Sequence, residues 1–249
     1  MPLKISCLNN FVDIYEIITF NKKKKLYSNR QKKPEMKDTH HENSVFLDIS
    51  IKTIYQDQEN TQDQNNIQDE PIWKEDIEYI GRIEITLHWN IAPITCENFY
   101  RIIEGNYESK TLPGQKLHYK NTLFHHITPG WCIQGGDVIR NDGTGGETIY
   151  GPKISEETFY YKFNKPYRVA MAGYGSSSVT SQFFFNLKEA PVLDGFHVIF
   201  GDVSEGMDIL NTIDALASRG LENMQYIYIS DCGPLFADHK AQTPRKTSK

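Results

Sequence analysis

Phe124-His125-His126-Ile127-Thr128-Pro129-Gly130-Trp131-Cys132-Ile133-Gln134-Gly135-Gly136-Asp137 decides how this chain is read. It spans most of one short strand-like run, 123–127, and the whole of another, 132–136. Outward from it, similar runs lie at Val45–Ile51, Arg168–Met171, Phe183–Leu187, His197–Phe200 and Tyr226–Ser230. At Ile83, Ile85 and Leu87 apolar residues alternate with Glu84, Thr86 and His88, the period of a half-buried strand. Two segments have helical spacing instead. Pro93 suits a first helical turn, where its missing N–H costs nothing, and Gly105 is a fitting stop after Ile94, Asn98, Phe99, Ile102 and Ile103. Met207, Ile209, Leu210, Ile213 and Leu216 mark the second helix. Many short strands broken by glycine-rich turns, with only two helices, predict a mainly β closed barrel in preference to a doubly wound α/β sheet.

The chain has 249 residues, 39% of them hydrophobic, with 14 tyrosines and 13 phenylalanines, enough for at least one core. Its formal net charge of −5 gives no global reason to expect nucleic acid or an anionic membrane as partner. Cys7, Cys96, Cys132 and Cys232 show neither CxxC nor zinc-ligand spacing and read as buried free thiols. No apolar run is long enough to span a bilayer, so membrane insertion is not expected. Residues 1–43 form a basic extension carrying Lys22–Lys25, Arg30, Lys32, Lys33 and Lys37. Its basic run follows the apolar stretch, the wrong order for a secretory signal, and Asp13 and Glu16 disfavour a mitochondrial presequence. The expectation is therefore a cytoplasmic or otherwise intracellular protein. Phe11, Ile14, Tyr15 and Ile18 lie at helical spacing, so the arm reads either as a solvated appendage or as a docking segment. A domain over 44–235 follows, with a polar insertion at about 55–78 that is a second candidate for protein partners, and a basic tail at 236–249. Trp73, in the distal part of the insertion, is a candidate anchor to a surface.

Pro93–Phe99, Phe124–Asp137, Asn141–Gly146, Ser181–Phe184 and Leu193–Gly201, in that order and spacing, resemble the cyclophilins, the peptidyl-prolyl cis–trans isomerases. The resemblance covers about Val45 to Leu235 and implies a closed eight-stranded antiparallel barrel capped by two α-helices, with a proline pocket on its outer surface. It implies that Phe124, Met171, Phe184 and Leu193 form an apolar cup, although phenylalanines and Met171 also suit a core. Gln182 matches the residue that grips substrate backbone and His197 the pocket-edge histidine. Ala172, Gly173 and Tyr174 fall on the backbone-recognition strand, and Val192 at the pocket rim. The implied partners are proline-containing peptides or proteins.

The chemistry follows from the peptide bond itself. Rotation about an X–Pro bond needs no nucleophile, metal or cofactor; the barrier is amide resonance, of order 20 kcal/mol. A catalyst holds the proline ring while a cation or donor favours the twisted, single-bond-like nitrogen of the transition state. Three departures from the family pattern bear on this. His126 stands where the family has an arginine, and a histidine is shorter and mostly neutral near pH 7. It reads as a weak substitute, a pocket-lining residue, or a relic of lost function. Val192 replaces a common tryptophan, and Gly173-Tyr174 replaces an Asn-Ala pair, removing an amide and adding a ring. Gly143, Gly145 and Gly146 lack the lysine and serine of a phosphate loop. His125-His126 lacks convergent ligand spacing for zinc, and Asp137 reads as structural. Two function classes remain, an isomerase with weak or altered catalysis and an inactive interaction subunit of a larger assembly.

Overall fold

Ile83, Ile85 and Leu87 are buried while Glu84 and Thr86 between them are not, and the same inward alternation sets the frame of the whole domain. The structure, a computed structural model, describes residues 44–56, 73–173, 177–221 and 225–235. All lie within one unit, Lys37–Lys249. The basic extension 1–43, the centre of the insertion and the tail 236–249 lie outside the described residues. In chain order the elements are β1 (Ser44–Gln56), β2 (Trp73–Leu87), α1 (Pro93–Glu104), β3 (Tyr107–Glu108) and β4 (Lys116–Leu117). There follow β5 (His126–Thr128), β6 (Cys132–Gly135), β7 (Arg168–Met171), β8 (Phe183–Asn186), a 3-10 turn (Pro191–Leu193), β9 (Ile199–Glu205), α2 (Met207–Arg219) and β10 (Gln225–Pro234). β3 and β4 form a small separate pair.

The other eight strands make one antiparallel sheet in the order β10-β1-β2-β9-β7-β8-β6-β5. The expected closed barrel is not what forms. The sheet curls through 205° and stops as an open half-barrel whose edges lie 10 Å apart, about twice the spacing of paired strands. Isolated bonds cross the seam. Asn121 and Phe124 donate to the Ile229 and Ile227 carbonyls at 2.7 and 2.9 Å, and Ile229 donates to Thr122 at 2.9 Å. The pairing there stays a single bridge, Leu123↔Tyr228; the Leu123 N–H faces away from β10 and is accepted by Asn141 Oδ1 at 2.6 Å, and Asn121 leaves the extended conformation with a φ of 68°.

The concave side carries the main core. Val45, Leu47 and Ile49 of β1, Ile83 and Ile85 of β2, and Phe183 and Phe185 of β8 are fully buried against Phe99 and Ile102 of α1 and Leu210 and Ile213 of α2. Cys96, Cys132 and Cys232 are buried free thiols; burial pushes Cys232 up to about 12. Among the described residues no helix is long and apolar enough to cross a membrane.

α1 ends as its composition dictates. Gly105 adopts φ 68°, donating to Arg101 O at 3.1 Å, and a Cβ there would meet the His118 ring at 2.8 Å. Its other end lacks a side-chain cap from Ala92. Glu157, remote in sequence, supplies one by accepting from Ile94 N at 3.0 Å, Thr95 N at 2.8 Å and Thr95 Oγ1 at 2.9 Å. Glu157→Ala is therefore expected to lower stability by about 1–2 kcal/mol. A urea denaturation midpoint that does not move, at constant slope, would refute this capping role.

The stretch 55–78 begins and ends inside strands. Gln56 pairs with Trp73 and the hairpin continues inward through Tyr55↔Lys74, Ile54↔Glu75 and Thr53↔Asp76. Trp73 is 54% exposed at the start of β2.

Candidate functional site

On the convex side a second, smaller apolar cluster forms around Phe184. Phe184 joins Cys132, Phe163, Ala170, Ala190 and Ile199, with Trp131, Tyr161, Ala172 and Leu193 packed against them. Strand register explains which residues meet. Directly opposed residues share a face of a sheet, and His126↔Gln134, Gln134↔Phe184 and Phe184↔Ala170 run in sequence across β5, β6, β8 and β7. One row of the outer face thus carries a histidine, an amide and an aromatic ring. Phe163 stacks on Phe184 with centroids 5.8 Å apart, and His197 meets Phe184 edge-on at 5.1 Å.

The same register separates some expected partners. Phe124 and Met171 lie in the inner core, not in this outer cluster. Met171 opposes Phe183 on the concave face, while Cys132 is the sulfur-bearing residue beside Phe184. Met171 still serves the site through its backbone, since its carbonyl lies 3.2 Å from His197 Nδ1 and orients that ring. Val192 is exposed on the 3-10 turn and Leu193 turns inward. Ala172 donates to Gln182 O at 2.9 Å, so its amide is engaged within the sheet. A Cβ at Gly173 would come within 2.9 Å of Ser178 Oγ. Tyr174 lies outside the described residues.

His125 and His126, adjacent on the chain, occupy opposite faces, as strand pleating requires. His125 turns under the glycine-rich turn, where a Cβ at Gly143 would lie 2.5 Å from its ring. His126 takes the outer face, with Nε2 3.0 Å from Thr128 Oγ1. Burial lowers the pKa of both from 6.5, so His126 is mostly neutral at pH 7.

Gln182 is buried and its amide is fully used. Nε2 donates to the Gly143 and Gly145 carbonyls at 2.9 and 2.8 Å, and Oε1 accepts from Gln134 Nε2 at 3.0 Å. Asp137 holds the same turn from its N–H side. Its Oδ1 accepts from Ile139 and Arg140 and its Oδ2 from Gly143 and Gly145, all within 3.1 Å. Burial alone would raise its pKa; the four amides reverse that and hold it below 3.8. The turn carrying Gly143–Gly146 is therefore clamped by one side chain at its donors and another at its acceptors.

Four residues of the site were not singled out from the sequence. Gln134 and Cys132 had a usable signal, because they alternate with buried Ile133 on the strand. Trp131 lies at the edge of the cluster with Lys188 Nζ 5.1 Å from its ring. Phe163 comes from an irregular segment fixed by Asp194, whose Oδ1 accepts the Phe163 N–H at 2.8 Å. No periodicity marks it. Burial pushes the Cys132 thiol up to about 12, so it stays protonated.

The sequence is similar to those of known proteins. Residues 74–234 match the family described as cyclophilin type peptidyl-prolyl cis-trans isomerase/CLD. The chain is 37% identical over 209 residues to peptidyl-prolyl cis-trans isomerase 9 of Caenorhabditis elegans, covering 84% of this chain and 59% of that protein. It is 39% identical over 160 residues to the E3 SUMO-protein ligase RanBP2 of Pan troglodytes, covering 64% of this chain but 5% of that protein. The chain thus spans less than two thirds of either relative. A family match across more than half of its length, set on a curled sheet with an aromatic cluster on its outer face, makes this chain a member of the cyclophilin-type peptidyl-prolyl cis–trans isomerase family.

Proposed function

We propose that the outer cluster binds proline-containing segments and catalyses slow cis–trans exchange of their X–Pro bonds. The row His126, Gln134 and Phe184 on adjacent strands carries this reading, because it sets hydrogen-bonding groups beside an apolar floor. Phe184, Phe163, Cys132, Ala172 and Leu193 hold the ring by burial, with His197 standing against Phe184 as one wall. Gln134 remains placed to meet the peptide backbone, while Gln182 steadies it from behind. His126 stands in the arginine's place and offers the twisted amide a neutral donor, so turnover is weak. The isomerase name of the nematode relative supports the same activity.

A second reading, a binding module without turnover, has its own observation. Gln182, expected to grip substrate backbone, already spends both amide hydrogens on Gly143 and Gly145 and its oxygen on Gln134. The match confined to a small part of the long RanBP2 chain supports a role as one part of a larger assembly.

Exchange NMR on a proline-containing peptide separates the two. The wild-type protein should bind the peptide and accelerate an exchange that takes tens of seconds or more uncatalysed. Gln134→Ala, with circular dichroism unchanged, should weaken both effects. Binding without acceleration establishes the second reading, and an absence of both removes the site from consideration.

A further inference from the structure

The outer cluster occupies β5 to β8 and leaves the other end of the sheet unexplained. There β1 and β2 run on as a hairpin beyond the core. β2 pairs with β9 only through Glu84–Leu87, so among the described residues Trp73–Ile80 has β1 on one side and no strand on the other. In an antiparallel strand alternate residues turn both N–H and C=O away from the neighbour. This flank of β2 is consequently a row of backbone donors and acceptors aimed outward.

The two faces of that edge differ in chemistry. Trp73, Glu75, Ile77 and Tyr79 share a face with Gln56, Ile54, Lys52 and Ser50 of β1; Lys52 and Ser50 in turn oppose Tyr226 and Tyr228 of β10. Trp73 and Ile77 are 54% and 53% exposed, and Tyr79 39%. The acid on this face, Glu75, is paired with Lys52. What remains is an apolar, largely aromatic strip. The opposite face carries Lys74, Asp76 and Glu78, with both carboxylates exposed. Such an edge invites strand addition, which natural proteins normally block with Pro, bulges or inward charges. Here the exposed apolar strip does the reverse.

We propose that Trp73–Ile80 of β2 is a docking edge that takes an extended, alternately apolar and basic segment of a partner protein as an added strand. Backbone pairing supplies the register. Alternate apolar side chains then lie along Trp73, Ile77 and Tyr79, and the intervening lysines or arginines lie beside Asp76 and Glu78. A second copy of this chain fits poorly, because Trp73–Tyr79 carries three acids against one lysine and self-pairing would set acid beside acid.

The test uses the full chain and an acetylated nonapeptide alternating lysine and valine. Saturable binding is expected, with added amide-exchange protection confined to 73–80 and a change in Trp73 fluorescence. Asp76→Lys combined with Glu78→Lys should weaken binding at least about tenfold. Methylating alternate amide nitrogens of the peptide, which needs no protein variant, should abolish it. The proposal is overturned if the wild-type chain does not bind the peptide, if binding survives both N-methylation and charge reversal, or if protection appears elsewhere. It is overturned equally if the peptide-free chain sediments as a dimer that Trp73→Ala dissociates. Proline-peptide exchange at the outer cluster should be unaffected in every arm.

Discussion

Asp137→Ala is expected to cost the domain about 3–5 kcal/mol, a large share of the roughly 5–15 kcal/mol that holds an ordinary domain folded. The carboxylate has no exposed surface and accepts four backbone amides within 3.1 Å. Hydrogen bonds to a charged group are worth about 1.5–3 kcal/mol each in isolation, though removal of one shared acceptor is far from additive. Alanine leaves the four amide donors of Ile139, Arg140, Gly143 and Gly145 without their acceptor. Asp137→Asn keeps an oxygen for one pair of amides and turns an NH2 toward the other, so its loss should be smaller. Acid should mimic the alanine variant. The native pKa lies below 3.8, so this contribution is complete above the unfolded value and is lost as pH falls through the native one. The effect reaches the outer cluster as well, because a loosened turn releases Gln182 from Gly143 and Gly145 and Gln134 from Gln182. Denaturant unfolding checks the energy and peptide titration the coupling. A loss below about 1 kcal/mol in Asp137→Ala would mean the turn does not need its carboxylate.

His126→Arg should raise isomerisation about ten- to a hundredfold. The expectation rests on the proposed isomerase reading and on a charge-assisted contact worth about 1.5–3 kcal/mol in the transition state. His126 sits on the outer face of β5, one strand from Gln134 and two from Phe184. An arginine there is always charged and reaches further with a planar set of donors. The wild-type protein offers an internal comparison through pH. Burial lowers the His126 pKa from 6.5, so the ring is neutral at pH 7 and gains its proton as pH falls through that lowered value. Wild-type turnover per bound peptide should accordingly rise on acidification, while the arginine variant stays flat over the same interval. Exchange NMR between pH 7.5 and the onset of acid unfolding measures both (pH values set about the ordinary histidine range). An arginine variant no faster than wild type, with peptide affinity intact, would show that the residue at 126 is not what limits turnover.

How far the amino acids announce this structure varies with how local the cause is. α1 is bounded by Pro93 and Gly105, and both ends lie where those residues place them. The outward facing of Cys132 and Gln134 on β6 follows from alternation, while their partners on β8 are set by register. The openness of the sheet does not follow from alternation, because it depends on how far pairing runs between segments about a hundred residues apart, here a single bridge, Leu123↔Tyr228. The hairpin was hidden for another reason. Lys74, Glu75, Asp76 and Glu78 read as a polar loop, yet each pairs with β1 in register. Their strand character comes from the neighbour and not from their own side chains. Met171 and Cys132 show the limit of matching by residue type: an unbranched sulfur residue looked right for the pocket, but pleating sends Met171 inward and Cys132 outward. Phe163 was invisible because the Asp194 carboxylate and the Ala190 amide, both far along the chain, position it.

The pairing of β1 with β10 has a consequence for biosynthesis. Val45 opposes Pro234 and Ile51 opposes Ile227, so the earliest strand of the domain borders the latest. While the ribosome is still at work, β1 can pair with β2 but its other flank, with Leu47, Ile49 and Ile51 destined for burial, waits for nearly two hundred residues. Contacts of such sequence separation form slowly, and unsatisfied edges are where nascent chains associate wrongly. The vulnerable interval in the life of this protein therefore lies before release, and a chain stalled short of Gln225 holds an almost complete sheet with one flank of its first strand unpaired.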